Sequence, residues 1–255
     1  MTANHAKAYG GKSKKLLWAV LSGLLAALIL CGGFAAVYVN DYYHAEEIAL
    51  EAMATGDGIE VSSWKDGIIV FQPQTPTAGM IFYPGGKVEH TAYASLMRAC
   101  AERGILCVLV KMPCNLAVLD ANAADGIVEQ FPQVGQWYIG GHSLGGAMAA
   151  SYAAKHSDTL NGLILLAAYS TADLTSTDLA VLSIYGSEDG VLNQEKYEEY
   201  RVNLPDNTEE IVLQGGCHAY FGSYGAQDGD GVPTITNEEQ ICQTADHIAL
   251  WMDKG

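Results

Sequence analysis

Apolar and polar positions divide the chain into two unlike parts. From Leu16 to Val39 runs a stretch of 24 residues without a charge, including LLWAVLSGLLAALIL. At about 1.5 Å per residue, this exceeds the roughly 20 residues needed to cross a hydrocarbon core. From Ile59 onwards, short apolar runs alternate with longer helix-patterned segments, which predicts a mostly parallel sheet covered on both faces. Residues 59–64 and 67–72 read as an opening hairpin turned at Asp66-Gly67. Further strands fall at 79–83 (GMIFY), 104–110 (GILCVLV), Trp137 to Gly140, 162–168, 180–185 and 209–213. The run at 104–110 is apolar on both faces, as a central strand should be. Helices are predicted from about His90 to Arg103 with Gly104 as its cap, over 117–130, directly after Ser143, at 193–202 and at 237–253.

Charge sharpens the division. Lys7, Lys12, Lys14 and Lys15 precede the uncharged run, and no acidic residue occurs before Asp41. All 29 acidic residues follow it, against nine of the 13 basic ones, so the remainder carries a net charge of −20. Such a domain repels phosphate backbones and has no basic stripe, which argues against nucleic acid as a partner. Trp18 and Tyr38 stand near the two ends of the run, where amphipathic rings favour a membrane interface. Lysines before the run and acids after it place the N-terminus inside and the main domain outside. The expected layout is a cytoplasmic basic segment over 1–15, a single-pass transmembrane anchor over 16–39, a juxtamembrane helix and linker over 40–57 and one catalytic domain over 58–255. The rival reading is a cleaved signal peptide, for which Gly33-Phe34-Ala35 is a weak cleavage site. A lipoprotein signal is disfavoured because Leu30 precedes Cys31.

The six cysteines show no zinc-ligand spacing, and a domain of this length needs no disulfide framework. No metal and no cofactor are expected. Cys217 is singled out only because it adjoins His218. If it lines a pocket there, a thiol reagent should suppress activity.

The chemistry gathers around Gly141-His142-Ser143-Leu144-Gly145-Gly146. Gly-x-Ser-x-Gly alone is a common string, but here a strand runs into it and the Ala-rich AMAASYAAKH follows. That context matches a sharp strand-to-helix turn that lifts a serine hydroxyl above the sheet edge. Serine is a weak nucleophile until a base takes its proton. In such sites the partners follow in chain order Ser, acid, His. After the strand ending at Tyr185 comes Gly186-Ser187-Glu188-Asp189-Gly190, and after the strand ending near Leu213 comes Gly215-Gly216-Cys217-His218. Of seven histidines, His218 alone stands at a strand's carboxyl end after the acid loop, so it is the expected base. His142 is read as a packing residue. Asp189 is the expected acid, with Glu188 and Asp173 as alternatives. The oxyanion donors are expected to be the backbone N–H groups of Leu144 and Gly86, with Lys87 as the alternative to Gly86.

Tyr83-Pro84-Gly85-Gly86, Lys111-Met112-Pro113, the segment from Gly140 to Gly146 and Gly215-Gly216-Cys217-His218 together resemble the α/β-hydrolase superfamily. The resemblance covers about residues 59–255. It is strongest to the small lidless bacterial branch called α/β-hydrolase family 5, related to the dienelactone hydrolases. It implies an α/β-hydrolase fold with an eight-stranded sheet, no cap domain and a Ser143–His218–Asp189 triad, but no particular substrate. Pro84 departs from the pattern, because many relatives carry histidine before the oxyanion glycine. The dozen residues between Ala168 and Ala180 are too few for a lid, so an open site is expected. Tyr83, Tyr220, Phe221 and Tyr224 are candidate pocket walls. Asp228 and Asp230 lack the spacing of a calcium loop. The function expected is a membrane-anchored serine carboxylesterase acting on a small-molecule or cell-surface ester. Amidase or acyltransferase chemistry on the same triad and a non-catalytic tethered binding domain are the alternatives.

Overall fold

The computed structural model describes residues 9–254. Residues 1–8, the first part of the expected basic segment with His5 and Lys7, lie outside the described residues. The chain forms two compact units, the second beginning at Tyr42. The first is a single helix, α1 (Tyr9–Asn40), of 32 residues. Its stretch from Leu16 is long and apolar enough to cross a membrane. Side chains such as Leu24 and Leu30 are exposed along it, as expected of a helix whose apolar surface faces lipid and not a protein core.

The second unit is built on one eight-stranded sheet with strand order β1-β2-β4-β3-β5-β6-β7-β8. The strands are β1 (Ile59–Ser63), β2 (Ile69–Pro73), β3 (Ala78–Tyr83), β4 (Ile105–Leu109), β5 (Trp137–His142), β6 (Gly162–Leu166), β7 (Ala180–Gly186) and β8 (Glu209–Leu213). β1 and β2 form the expected antiparallel hairpin, and β2 pairs antiparallel with β4. From β4 to β8 all neighbours are parallel. The hairpin turns through two left-handed residues, Asp66 at φ 66° and Gly67 at φ 80°. An Asp-Gly pair adopts this conformation at low cost.

Strand side chains alternate between two apolar layers. Met80, Phe82, Cys107 and Leu109 join a core formed with α3 (Ala94–Ala101) and α6 (Asn237–Met252). Ile81, Tyr83, Leu106 and Val108 join the opposite core, formed with α4 (Leu144–Ala153). Both faces are therefore covered. This explains why the inner strands read as unbroken apolar runs. α5 (Gln194–Tyr200) follows β7 and is capped by Asn193, whose side chain accepts from the Lys196 N–H.

Three segments differ from the sequence reading. The helix expected from His90 starts as a 3-10 turn over His90–Tyr93 and becomes α-helical only from Ala94. The helix expected over 117–130 does not form. Its backbone makes short turns, with Gly126 at φ 74°. The Tyr83 hydroxyl donates to Ala121 O at 3.0 Å and accepts from Ala124 N at 2.9 Å. That hydroxyl takes a carbonyl and an amide that a continuous helix would need for its own ladder.

The third difference concerns the expected linker over 40–57. From Tyr42 on, this segment is built into the second unit. A short helix, α2 (Glu47–Glu51), buries Ala49 completely. Tyr43 N–H donates to Lys87 O and Glu89 N–H donates to Tyr43 O, both at 2.8 Å, while Glu46 N–H donates to Ser223 O at 2.9 Å.

Parallel register sets the site. His142 pairs with Leu166, Leu166 with Ile184, and Gly186 with Leu213, so β5 to β8 end side by side. The loops leaving these carboxyl ends carry Ser143, Asp189 and His218. The stretch between β6 and β7 contains no helix that covers them.

Candidate active site

Ser143 sits between the end of β5 and the start of α4 with φ 53° and ψ −122°. A non-glycine residue held there costs about 1–3 kcal/mol and persists only where its surroundings over-determine it. The surroundings do so through close backbone approach. A Cβ on Gly141 would fall 2.7 Å from Gly145 O, and one on Gly145 would strike the carbonyl oxygens of Tyr83 and Pro84. Only bare backbone fits where the strand end, the helix start and β3 converge. Ser143 N–H donates to Leu166 O at 2.9 Å, which anchors the turn to β6.

Asp189 lies just beyond β7 with its side chain fully buried. Its Oδ1 accepts from Val191 N at 2.9 Å and Leu192 N at 2.7 Å, and its Oδ2 accepts from His218 Nδ1 at 2.9 Å. The acidic alternatives stand elsewhere. Glu188 accepts from its neighbour Ser187, and exposed Asp173 accepts from Thr175. With Nδ1 donating to Asp189, the His218 proton is fixed on that side. Its Nε2 is buried and has no hydrogen-bond partner among the described residues. Ser143 and His218 line one cleft of about 400 Å³. The three expected residues are thus brought together, with the Ser143–His218 hydrogen bond unmade; such bonds often tighten only around substrate.

The candidate oxyanion loop is sorted by its hydrogen bonds. Gly85 N–H donates to the Tyr93 hydroxyl at 3.0 Å and Lys87 N–H donates to Asn115 O at 2.8 Å. Between them, Gly86 N–H has no acceptor among the described residues, and neither does Leu144 N–H at the start of α4. The two residues adjoin, since a Cβ on Gly86 would lie 2.9 Å from Leu144 Cδ2. Lys87 is therefore already engaged, and the Gly86–Leu144 pair is the one open to a ligand.

Behind this loop stands a polar chain that sequence reasoning missed. The Tyr93 hydroxyl, having accepted from Gly85, donates to His142 Nδ1 at 2.8 Å. The His142 ring lies 4.4 Å from that of His218, centroid to centroid. Burial holds the His142 imidazole well below its ordinary titration range, reinforced by the charge of His218 and opposed by that residue's backbone. His142 is thus a neutral, hydrogen-bonded histidine behind the His218 ring. Only its place beside Ser143 could have signalled this.

A family model for the alpha/beta hydrolases matches residues 79–242, which run from β3 into the start of α6 and carry every site residue above. The chain belongs to the alpha/beta hydrolase family. No curated protein sequence matches it. Among solved structures, this hydrolase is similar to a predicted CIB-like hydrolase from Thermoplasma acidophilum at 15% identity, covering 75% of this chain and 99% of that one with a TM-score of 0.52. Est1E from Butyrivibrio proteoclasticus aligns at 13% identity over 78% of this chain and all of its own, TM-score 0.54. A thermostable esterase from Pseudomonas putida ECU1011 aligns at 14% identity over 79% of this chain and 86% of its own, TM-score 0.55. Identities this low speak to the fold alone.

The hydrolase's cleft has other walls than the four aromatics expected. Leu144, Ala147, Met148, Ala168, Tyr169 and Leu192 line it. Tyr83 is buried in the core beside α4, held there by Ala121 and Ala124. Phe221 is fully buried with its ring 5.6 Å from that of His142, and Tyr224 packs against Tyr43 and Tyr93. Half-buried Tyr220 packs on the same core. The loop after His218 turns inward beneath the base, so its rings serve the core. Cys217 follows them. It is buried, its N–H donates to Gln240 Oε1, and burial pushes its thiol up to about 12. It does not line the cleft, and a thiol held so far from ionisation is inert.

Proposed function

We propose that this hydrolase is a membrane-anchored serine esterase that works through an acyl-enzyme on Ser143, with His218 as base and Asp189 as acid. The observation that carries the reading is His218 itself. One ring nitrogen is committed to Asp189 while the other is unbonded, in a cleft shared with a strained serine. Burying a polar nitrogen without a partner costs roughly 1–3 kcal/mol. A substrate-dependent proton transfer gives that arrangement a use.

In this mechanism Ser143 Oγ attacks the ester carbonyl as His218 Nε2 takes its proton. Asp189 keeps the imidazole in the right tautomer and stabilises the imidazolium. The N–H groups of Gly86 and Leu144 receive the oxyanion, a contribution of about 10²–10³ in rate for each donor. His218 then protonates the departing alcohol, and a water activated by the same nitrogen releases the acid. The uncapped cleft suits small or polymer-borne esters. One of the similar structures is named as an esterase, which favours an ester as the scissile bond.

Helix α1 is read as the anchor, with its lysine-rich start inside and the hydrolytic unit outside. Fluorophosphonate labelling of the full chain tests the chemistry. Label is expected on wild type and absent from Ser143→Ala; equal labelling of both would refute the reading. Protease added outside intact cells is expected to digest the hydrolytic unit, and protection of that unit would reverse the orientation.

A further inference from the structure

The acid and the base reach each other from separate loops, 29 residues apart in sequence, and an imidazole–carboxylate bond needs those loops held in fixed register. Their hydrogen bonds point to what holds them. The Asp230 carboxylate lies where the two loops meet. Its Oδ1 accepts from Gly190 N at 3.1 Å, His218 N at 3.1 Å and Gly231 N at 2.8 Å, and its Oδ2 accepts from Ala219 N at 2.8 Å. Gly190 is the residue after the acid, and His218 is the base. One side chain thus binds the main chain of both.

The backbone around Asp230 is fitted to the same task. A Cβ on Gly190 would fall 2.6 Å from Gly229 O, and one on Gly231 would strike Glu188 O. The 229–231 loop therefore lies directly on the acid loop. Burial opposes ionisation of Asp230, but the amides of Ala219, Gly190 and His218 outweigh it and hold the carboxyl below its ordinary range. Its oxygens are filled by N–H groups, which makes it a brace and not a cation ligand paired with Asp228.

We propose that Asp230 is a positioning residue of the hydrolytic site, its carboxylate tying the Asp189 loop to the His218 backbone so that their side chains meet. The inference rests on the Ser143–His218–Asp189 reading above. Misplacing catalytic groups by about 1 Å costs on the order of 10² in rate, so the loss should fall on kcat. Groups that act as one unit also lose activity non-additively.

The test uses the full chain in detergent with p-nitrophenyl acetate as the probe. Asp230→Ala is expected to lower kcat about 100-fold with KM within about twofold of wild type. Asp230→Asn keeps an acceptor for the three Oδ1 amides but turns N–H toward Ala219. Its kcat is expected to fall about three- to tenfold, a partial rescue relative to alanine. In an Asp189→Ala background, either Asp230 substitution should change kcat less than about twofold, because the partner it positions is gone. If Asp230→Ala does not fold, Asp230→Asn and its double variant with Asp189→Ala carry the same test. Wild-type kcat in Asp230→Asn, a loss expressed in KM, or an undiminished loss on top of Asp189→Ala would overturn the brace. Turnover that survives Ser143→Ala overturns the site reading itself. Turnover abolished in Ser143→Ala but untouched in Asp230→Asn overturns the brace alone.

Discussion

The two sides of the cleft are held by opposite means. On the elbow side, Ser143 is fixed by what is missing: Gly141 and Gly145 let β5, α4 and β3 approach to distances that any side chain would forbid. On the acid–base side, position comes from what is present. Two carboxylates, Asp189 and Asp230, accept backbone amides from the loops after β7 and β8. The first device is steric and spans a few consecutive residues. The second is electrostatic and joins residues far apart in sequence. The steric device makes position and folding inseparable, whereas the electrostatic one leaves room to lose alignment while keeping the fold.

That contrast fails or holds by substitution. Gly145→Val is expected to cost about 5 kcal/mol or more, because its side chain meets the Tyr83 and Pro84 carbonyls. Thermal unfolding should shift down by roughly 10 °C or more. A variant that melts near wild type would break the steric side of the comparison. Asp189→Asn should do the reverse. Its amide oxygen can keep Val191 and Leu192, but its NH₂ faces His218 Nδ1 and drives the ring proton to Nε2. Esterase activity is expected to drop about 10³–10⁴-fold with little change in melting, since the wrong tautomer cannot act as base.

Tyr93→Phe probes the boundary between the two sides. It leaves Gly85 N–H and His142 Nδ1 unpaired in a buried place, at about 1–3 kcal/mol, and loosens the oxyanion loop. Denaturant unfolding alongside kcat measures both consequences. The smallest effect expected is that of acid on the buried histidines. Burial lowers the titration of His142 and of His90. The unfolded chain then binds protons first, so their stabilising contribution is complete above about pH 6.5 and is lost as pH falls below it. The slope is at most about 1.4 kcal/mol per pH unit for each histidine, and His142→Gln should remove one share of it. Stability that rose on acidification would contradict the burial of both rings.

The same contrast explains what the sequence disclosed. The sheet was legible because β3 through β6 are apolar on both faces, and the elbow was legible because its requirements fall within Gly141–Gly145. His218 was singled out by its place after the last strand, and the fold brings it to Asp189. The pocket was not legible. Periodicity identifies Tyr83, Phe221 and Tyr224 as apolar rings near a strand end, but not whether such a ring turns to the cleft or to the core. Nor does local pattern reveal that the Tyr83 hydroxyl draws residues 121–124 out of helix. Asp230 and the Tyr93–His142 pair escaped for a related reason. Their farthest partners lie 40 and 49 residues away in sequence, and only the fold brings them together.

The strap from Tyr42 to Glu51 gives the molecule a load path. Its backbone is bonded on one side to the 87–89 strip, directly after Gly86, and on the other to Ser223 in the loop after His218. Tension along the chain ahead of Tyr42 is therefore delivered both to the strip after Gly86 and to the loop after His218. Cutting the chain at residue 58 would remove more than a tether, because it would unfasten the oxyanion strip from the loop beneath the base. The fragment that keeps both sets of bonds begins at Tyr42.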